Sequence, residues 1–193
     1  MKKKISEFNI IISGVGGQGL ITLLGIIAQA ALSEGYDVKT SELHGLSQRG
    51  GSVGVHIRFG KKIWSPLISK GKADLIIALE SQESLKVLDY ASKNTIFLVN
   101  NKFVPIPGYP LLKDKYILEN LKRISKKIFL ISASDICKKE LGNEVLSGVY
   151  TLGYAVHKKL LPLEIKSIAS GIENTVPKNY LELNKKALEI SGR

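Results

Sequence analysis

The stretch FNIIISGVGGQG, Phe8 to Gly19, decides the fold. Phe8 to Ser13 is a short apolar run with β-branched residues, the composition of a central strand buried on both faces. It ends at Gly14-Val15-Gly16-Gly17-Gln18-Gly19, which has the spacing G-x-G-x-x-G between a strand and a helix. Gln18 to Glu34 is the helix. Its apolar residues, among them Leu20, Leu23, Leu24, Ile26 and Ile27, cover most of the circumference, so it is expected to be well buried. Gly35 stops it, and Tyr36 to Glu42 follows as a second strand. Strand, glycine loop, helix and strand in that order open a Rossmann-like sheet.

Two readings of Gly14, Gly16, Gly17, Gln18 and Gly19 stand side by side. Glycines permit a tight turn and close backbone approach, and a helix start offers unpaired N–H groups to an anion, so the five residues are candidates for cofactor binding. Glu42, 23 residues past Gly19, is placed where a ribose-binding acid of an NAD site could sit. Alternatively, the glycines only let helix and sheet pack closely. Gly17 and Gln18 are unusual within the fingerprint.

Further along, Ser52 to Phe59 alternates with period two. Val53, Val55, Ile57 and Phe59 share one face; Gly54, His56 and Arg58 share the other, which must meet something polar. Gly60-Lys61-Lys62 reads as a turn returning through Ile63-Trp64-Ser65, a hairpin that would make the sheet mixed. Ala73 to Leu79 and Thr95 to Val99 are two more buried strands, with a helix over Gln82 to Ala91 capped by Ser81. Pro105, Pro107 and Pro110 make Asn100 to Pro110 irregular. Leu118 to Lys126 is helical and Ile128 to Ile131 is a last strand. Ser134 or Asp135 caps a helix running through Leu141. Asn143 to Lys159, Pro162 to Glu173 and Pro177 to Ile190 are helical. The expected architecture is α/β: a Rossmann-like three-layer fold with a mostly parallel mixed sheet. One domain spans 1–193, and its helical C-terminal extension covers about 143–193.

The composition narrows the function. At 193 residues, 44% hydrophobic and 23% charged, the chain is an ordinary globular one. Its longest apolar stretch, Leu20 to Leu32, is too short to span a bilayer. Lys2 to Lys4 lead into Ser6, Glu7 and Asn9 without a cleavage site, so no secretory signal is expected. A single cysteine, Cys137, forms no internal disulfide, iron–sulfur cluster or Cys-rich zinc site, and reads as a small buried hydrophobe. The implied compartment is cytoplasmic. The net charge of +11 asks for an acidic partner. Yet of 28 basic residues only Arg49, Arg58, Arg123 and Arg193 are arginines, and the lysines are scattered. Base-reading and phosphate-clamping sites favour Arg, so no nucleic-acid role is expected. The densest patch, Lys122, Arg123, Lys126 and Lys127, reads as the solvated end of a helix. His157, beside Lys158 and Lys159, reads as a surface residue, and no catalytic set and no metal site is assigned.

The most specific segment is His44-Gly45-Leu46-Ser47-Gln48-Arg49-Gly50-Gly51-Ser52-Val53. No packing need demands His, Ser, Gln and Arg in a glycine-rich connection between two strands. His44, Ser47, Gln48, Arg49, Gly50 and Gly51, with His56 and Arg58 on the following strand, are therefore grouped as a partner-facing loop.

GVGGQG and then HGLSQRGGSVGVHIRFG together closely resemble the gamma subunit or domain of the 2-oxoacid:ferredoxin oxidoreductases. Within that family they are most similar to the beta subunit of indolepyruvate ferredoxin oxidoreductase. The likeness extends through DLIIALE (Asp74 to Glu80), VNNKFVPIP (Val99 to Pro107) and SASDICKKELGN (Ser132 to Asn143). The resemblance implies a subunit of a larger enzyme, inactive by itself. The partner, an alpha-type catalytic subunit, would bind thiamine diphosphate and Mg²⁺ and carry [4Fe–4S] clusters. It would decarboxylate the 2-oxoacid, pass electrons to ferredoxin and form an acyl-CoA, with CoA as co-substrate of the complex. The chain itself has no Gly-Asp-Gly segment of the thiamine-binding type. The Gln48-Arg49-Gly50-Gly51 pattern favours indolepyruvate or another aryl pyruvate. The alternatives are a pyruvate or branched-chain 2-oxoacid enzyme, or a free-standing NAD-binding Rossmann protein.

Overall fold

The computed structural model describes residues 5–44, 51–105 and 112–193. Strands β1 (Glu7–Val15), β2 (Asp37–His44), β3 (Ser52–Gly60), β4 (Leu75–Ala78), β5 (Ile96–Asn100) and β6 (Ile128–Ile131) form one sheet in the order β2-β3-β1-β4-β5-β6. The β1–β4, β4–β5 and β5–β6 pairs are parallel, whereas β3 runs antiparallel to both β1 and β2. Helices are α1 (Leu20–Ser33), α2 (Asp114–Ile124), α3 (Ala133–Leu141), α4 (Ser147–His157), α5 (Ile165–Thr175) and α6 (Leu181–Ile190).

Strand alternation sorts the core into two layers. Ile10, Ile12, Ile57, Phe59, Ile77 and Leu98 face α1 and α3 to α6; Ile11, Ile76, Phe97 and Val99 face α2 and the 3-10 helix at Gln82–Tyr90. Each fully buried Ile or Phe contributes about 1.5–3 kcal/mol. The C-terminal helices are built into the first layer. Gly25 and Gly171 let α1 and α5 approach so closely that a Cβ at Gly25 would meet Thr175 at 2.7 Å and one at Gly171 the Ile26 carbonyl.

Several expected details change, each because a distant residue overrides a local pattern. The hairpin through Ile63-Trp64-Ser65 does not form. Those residues are irregular, because Asp37 and Arg58 take their backbone groups. The mixed sheet arises because β3 inserts between β1 and β2, which therefore never pair with each other. The segment after β4 is a 3-10 helix, not an α-helix, and Glu80 rather than Ser81 caps it, accepting from the Glu83 amide at 2.8 Å. The Ser134 amide at the start of α3 donates to the Asn100 side chain of β5 (3.2 Å), so neither Ser134 nor Asp135 caps that helix with its own side chain. Residues 143–159 divide into a 3-10 turn (Glu144–Leu146) and α4. The latter is buried nearly all round, since α1, α3 and α6 enclose it.

Candidate functional site

Strands β1 and β4 lie side by side, but α1 leaves β1 toward one layer and the 3-10 helix leaves β4 toward the other. Their carboxyl ends are therefore the switch point at which open α/β sheets place a ligand crevice. The glycine loop lies there, and Gln18 fills the crevice. Its Oε1 accepts from the Val15 amide at 2.8 Å, and its Nε2 donates to the Leu79 carbonyl at 3.4 Å, joining the two strand ends. The Gly16 amide donates to the Gly51 carbonyl (2.8 Å), and the Gln18 amide donates to the Val15 carbonyl (3.1 Å).

Each glycine then has a local reason. A Cβ at Gly14 would fall 2.6 Å from the Gln18 Oε1. Gly17 (φ +104°) and Gly19 (φ +78°) hold a backbone that L side chains rarely adopt, with nothing within 4 Å of the missing Cβ. The side chain of Gln18 already takes the Val15 amide at the end of β1. Glu42 does reach the loop: with Gly16, Gly17, Ile21 and Val53 it lines an open depression of about 430 Å³. On the other flank of the α1 start, Gln18, Thr22, Leu146, Val149, Leu183 and Asn184 line a mostly apolar depression of about 370 Å³. Ile21, Val145 and Tyr180 expose apolar side chains around these two depressions.

The structure separates the residues grouped as partner-facing. His44 ends β2 opposite Val53, and Gly51 receives the Gly16 amide, so both adjoin the glycine loop. Ser47, Gln48, Arg49, Gly50 and the His44 side chain lie outside the described residues. His56 and Arg58 are spent within the fold and leave the group. His56 is buried, accepts from the Ile68 amide at Nδ1 (3.1 Å) and meets Tyr90 edge-on, and burial lowers its pKa. The Arg58 guanidinium donates to Asn9 Oδ1 (2.9 Å), to the carbonyls of Ser65 (2.8 Å) and Leu67 (3.2 Å), and pairs with Glu7 (2.8 Å).

Two buried carboxylates escaped the sequence reading. Glu80 accepts from the Glu83 and Val104 amides, and burial raises its pKa. Glu83 accepts from Ser52 Oγ and from Lys86 Nζ at 2.6 Å. Both follow β4 closely, buried and with their oxygens engaged. The signal was present in ALESQES, where two acids directly follow an apolar strand. Cys137 is fully buried, and burial pushes its thiol up to about 11, as fits a small hydrophobe. His157, Lys122, Arg123, Lys126 and Lys127 are exposed. Among the described residues no helix is long and apolar enough to cross a membrane.

Comparison with known proteins gives a consistent set of likenesses. The family described as pyruvate ferredoxin/flavodoxin oxidoreductase matches residues 9–191. The Archaeoglobus fulgidus indolepyruvate oxidoreductase subunit IorB is 37% identical over 97% of this chain and 98% of its own length. The Pyrococcus horikoshii subunit of the same name is 32% identical over 96% and 95%. A gamma subunit common to pyruvate and ketoisovalerate oxidoreductases of Pyrococcus abyssi reaches 29% over 90% and 89%. Among solved structures, the pyruvate oxidoreductase subunit PORC of Thermotoga maritima superposes with a TM-score of 0.70 at 21% identity, over 97% of this chain and 96% of that one. The 2-oxoglutarate:ferredoxin oxidoreductase of Magnetococcus marinus gives 0.72 at 19% identity, and there 98% of this chain covers only 31% of the other. Below 25% identity these two speak for the fold alone.

Proposed function

The chain belongs to the pyruvate ferredoxin/flavodoxin oxidoreductase family, and from that premise we propose that it is the small subunit of an indolepyruvate:ferredoxin oxidoreductase. The observation that carries the proposal is collinearity: 37% identity to an indolepyruvate oxidoreductase subunit runs across 97% of this chain and 98% of the relative. The pyruvate and ketoisovalerate relatives stand further off, at 26–29%.

In this reading the thiamine diphosphate, Mg²⁺ and [4Fe–4S] clusters belong to the catalytic partner. There the 2-oxoacid is decarboxylated, its electrons pass to ferredoxin and CoA takes the acyl group. The present chain supplies surface. Gln18 closes the switch point, and Ile21, Val145 and Tyr180 ring it with apolar contact area. His44, Ser47, Gln48, Arg49, Gly50 and Gly51 join β2 to β3 at that same end and face the catalytic subunit. Gly14, Gly16, Gly17, Gln18 and Gly19 act as the scaffold of this face.

The test is anaerobic co-expression with the thiamine-type subunit of the neighbouring reading frame, followed by ferredoxin reduction with indolepyruvate, pyruvate and 2-oxoisovalerate. A stable complex with the highest kcat/KM for indolepyruvate is expected. No complex, or a preference for pyruvate, overturns the assignment.

A further inference from the structure

Residues 63–68, Ile63-Trp64-Ser65-Pro66-Leu67-Ile68, have no regular structure, yet they are pinned from two strands. The Ile63 amide donates to Asp37 of β2 (2.8 Å), and the Ser65 and Leu67 carbonyls accept from Arg58 of β3 (2.8 and 3.2 Å). The Ile68 amide donates to His56 of β3 (3.1 Å), and Arg58 is itself held by Glu7 and Asn9 of β1. Ile63 and Ile68 are buried at either end. Between these anchors Trp64 is 82% exposed and Leu67 50%. The fold thus spends its polar strand face on holding rigid a segment whose two largest middle side chains point into water.

The surroundings give this patch a sign. Lys62 Nζ stands 4.0 Å from the centre of the Trp64 ring. Lys61 and Lys62 are exposed and have no ion-pair partner among the described residues. The carboxylates of the same region are engaged: Asp37 by Ile63 and Lys39, Glu7 by Asn9 and Arg58. Leu43, also exposed, occupies the same face of the β2–β3 pair as Arg58 and His56, since β2 and β3 pair Lys39 with Arg58, Ser41 with His56 and Leu43 with Gly54. Helix α1 covers this strand pair from the opposite side. Leu43 thus adds an exposed apolar side chain at the far end of this face, beyond Lys39 and Ser41.

We propose that this face of the β2–β3 pair is a docking surface for an acidic, apolar-clefted surface of the catalytic subunit, with Trp64 as its anchor. The inference rests on the proposed membership of this chain in such a complex, and it adds a contact surface that the glycine-loop end does not include. Tryptophan is the residue most enriched among energetic anchors of interfaces, and a rigid presenting segment lowers the ordering cost of binding. A second copy of this chain pairing the same patch about a twofold axis is the wrong partner, because Lys61 and Lys62 would face their own counterparts. Brief encounters with an electron carrier are small and led by charge, and do not call for a rigid aromatic anchor.

Trp64 is the only tryptophan of the chain, so it reports on itself. The subunit is labelled with 5-fluorotryptophan and titrated with the intact catalytic subunit, while the fluorine resonance and its H₂O/D₂O isotope shift are followed. The resonance is expected to move and lose its solvent isotope shift on complex formation. In parallel, Trp64→Ala is expected to raise the Kd about 25-fold, the hot-spot threshold expressed as a ratio, with no loss of melting temperature. Lys61→Glu with Lys62→Glu is expected to slow association about tenfold at low salt. If the wild-type subunit does not bind the catalytic subunit, the proposed function falls and this inference with it. Binding with an unmoved resonance and an unchanged Kd for Trp64→Ala overturns this inference alone. So does a resonance that moves with ferredoxin but not with the catalytic subunit.

Discussion

Replacing Arg58 with methionine separates a structural arginine from a partner-facing one. Its guanidinium makes one bond to Asn9 Oδ1, shares Nη1 between the Ser65 and Leu67 carbonyls, and pairs with Glu7 through Nη2. The Arg58 side chain is 16% exposed and that of Glu7 42%, so the ion pair is discounted for solvent to under about 1 kcal/mol. With the shared Nη1 contact counted once, the two remaining charge-assisted interactions contribute roughly 1.5 kcal/mol each, or about 3 kcal/mol together. For a chain of this size that corresponds to a fall in Tm of about 6–12 °C, readable by calorimetry on the isolated subunit. Hydrogen exchange at the Ile68 amide, held by His56, is expected to accelerate as the segment loosens. Arg58→Lys keeps the charge without the fork and is expected to recover less than half of the loss. The acid limb supplies a second readout. The Asn9 side-chain bond, and then Arg58, hold the Glu7 carboxyl below its ordinary value of 4.5. Its contribution is therefore present above that value and lost as pH falls through the lowered folded pKa. The Arg58→Met variant keeps the Asn9 bond, so its acid limb is expected to be shallower but not flat. A variant that melts within about 2 °C of wild type and binds the catalytic subunit poorly would refute this account and return Arg58 to the interface.

Gly14→Ala places a methyl 2.6 Å from Gln18 Oε1 and orphans the Val15 amide, so a stability loss of about 1–3 kcal/mol by chemical denaturation is expected. Gly17→Ala meets open space and is expected to cost about 1–3 kcal/mol through its φ of +104° alone. His56 is kept neutral by burial, with its pKa below the ordinary 6.5. Its contribution is present above that value, and Tm is expected to fall as pH drops below it, a slope that His56→Asn removes. Cys137, with its thiol raised to about 11, is expected to resist Ellman's reagent at pH 8 until the protein is unfolded. Because that folded pKa lies above the ordinary thiol value, stability is also expected to decline as pH rises between the two.

The sequence makes some of this legible and hides the rest for reasons of range. The apolar run of β1, the all-round apolar surface of α1 and the buried β4 and β5 follow from composition and periodicity over fewer than about fifteen residues. Alternation along Ser52 to Phe59 identifies two faces of β3, and it does so correctly. It says nothing about which strands flank β3, because pairing partners are set by residues far along the chain. The same limit explains His56 and Arg58. A polar strand face reads as one that meets something polar, which is true here, but the partners are Glu7, Asn9 and residues 65–68 of the same chain. Ser81 has the composition of a cap, yet Glu80 takes the role, since the start of the 3-10 helix lies within reach of its buried carboxylate.

The glycine fingerprint shows how a local motif and a ligand site come apart. G-x-G-x-x-G describes a backbone: a tight turn, positive φ where a side chain would strain it, and room at the first glycine. All of these hold at Gly14 to Gly19. A dinucleotide site requires in addition that the amides so arranged remain free and that β2, with its ribose-binding acid, lie next to β1. Here the carboxamide of Gln18 takes the Val15 amide, Gly51 takes the Gly16 amide, and β3 stands between β1 and β2. One side chain within the motif thus joins β1 to β4, its oxygen accepting from the Val15 amide and its nitrogen donating to the Leu79 carbonyl. The turn geometry follows from the glycines; the use to which it is put follows from Gln18 and from the strand that residues 44–51 deliver beside it.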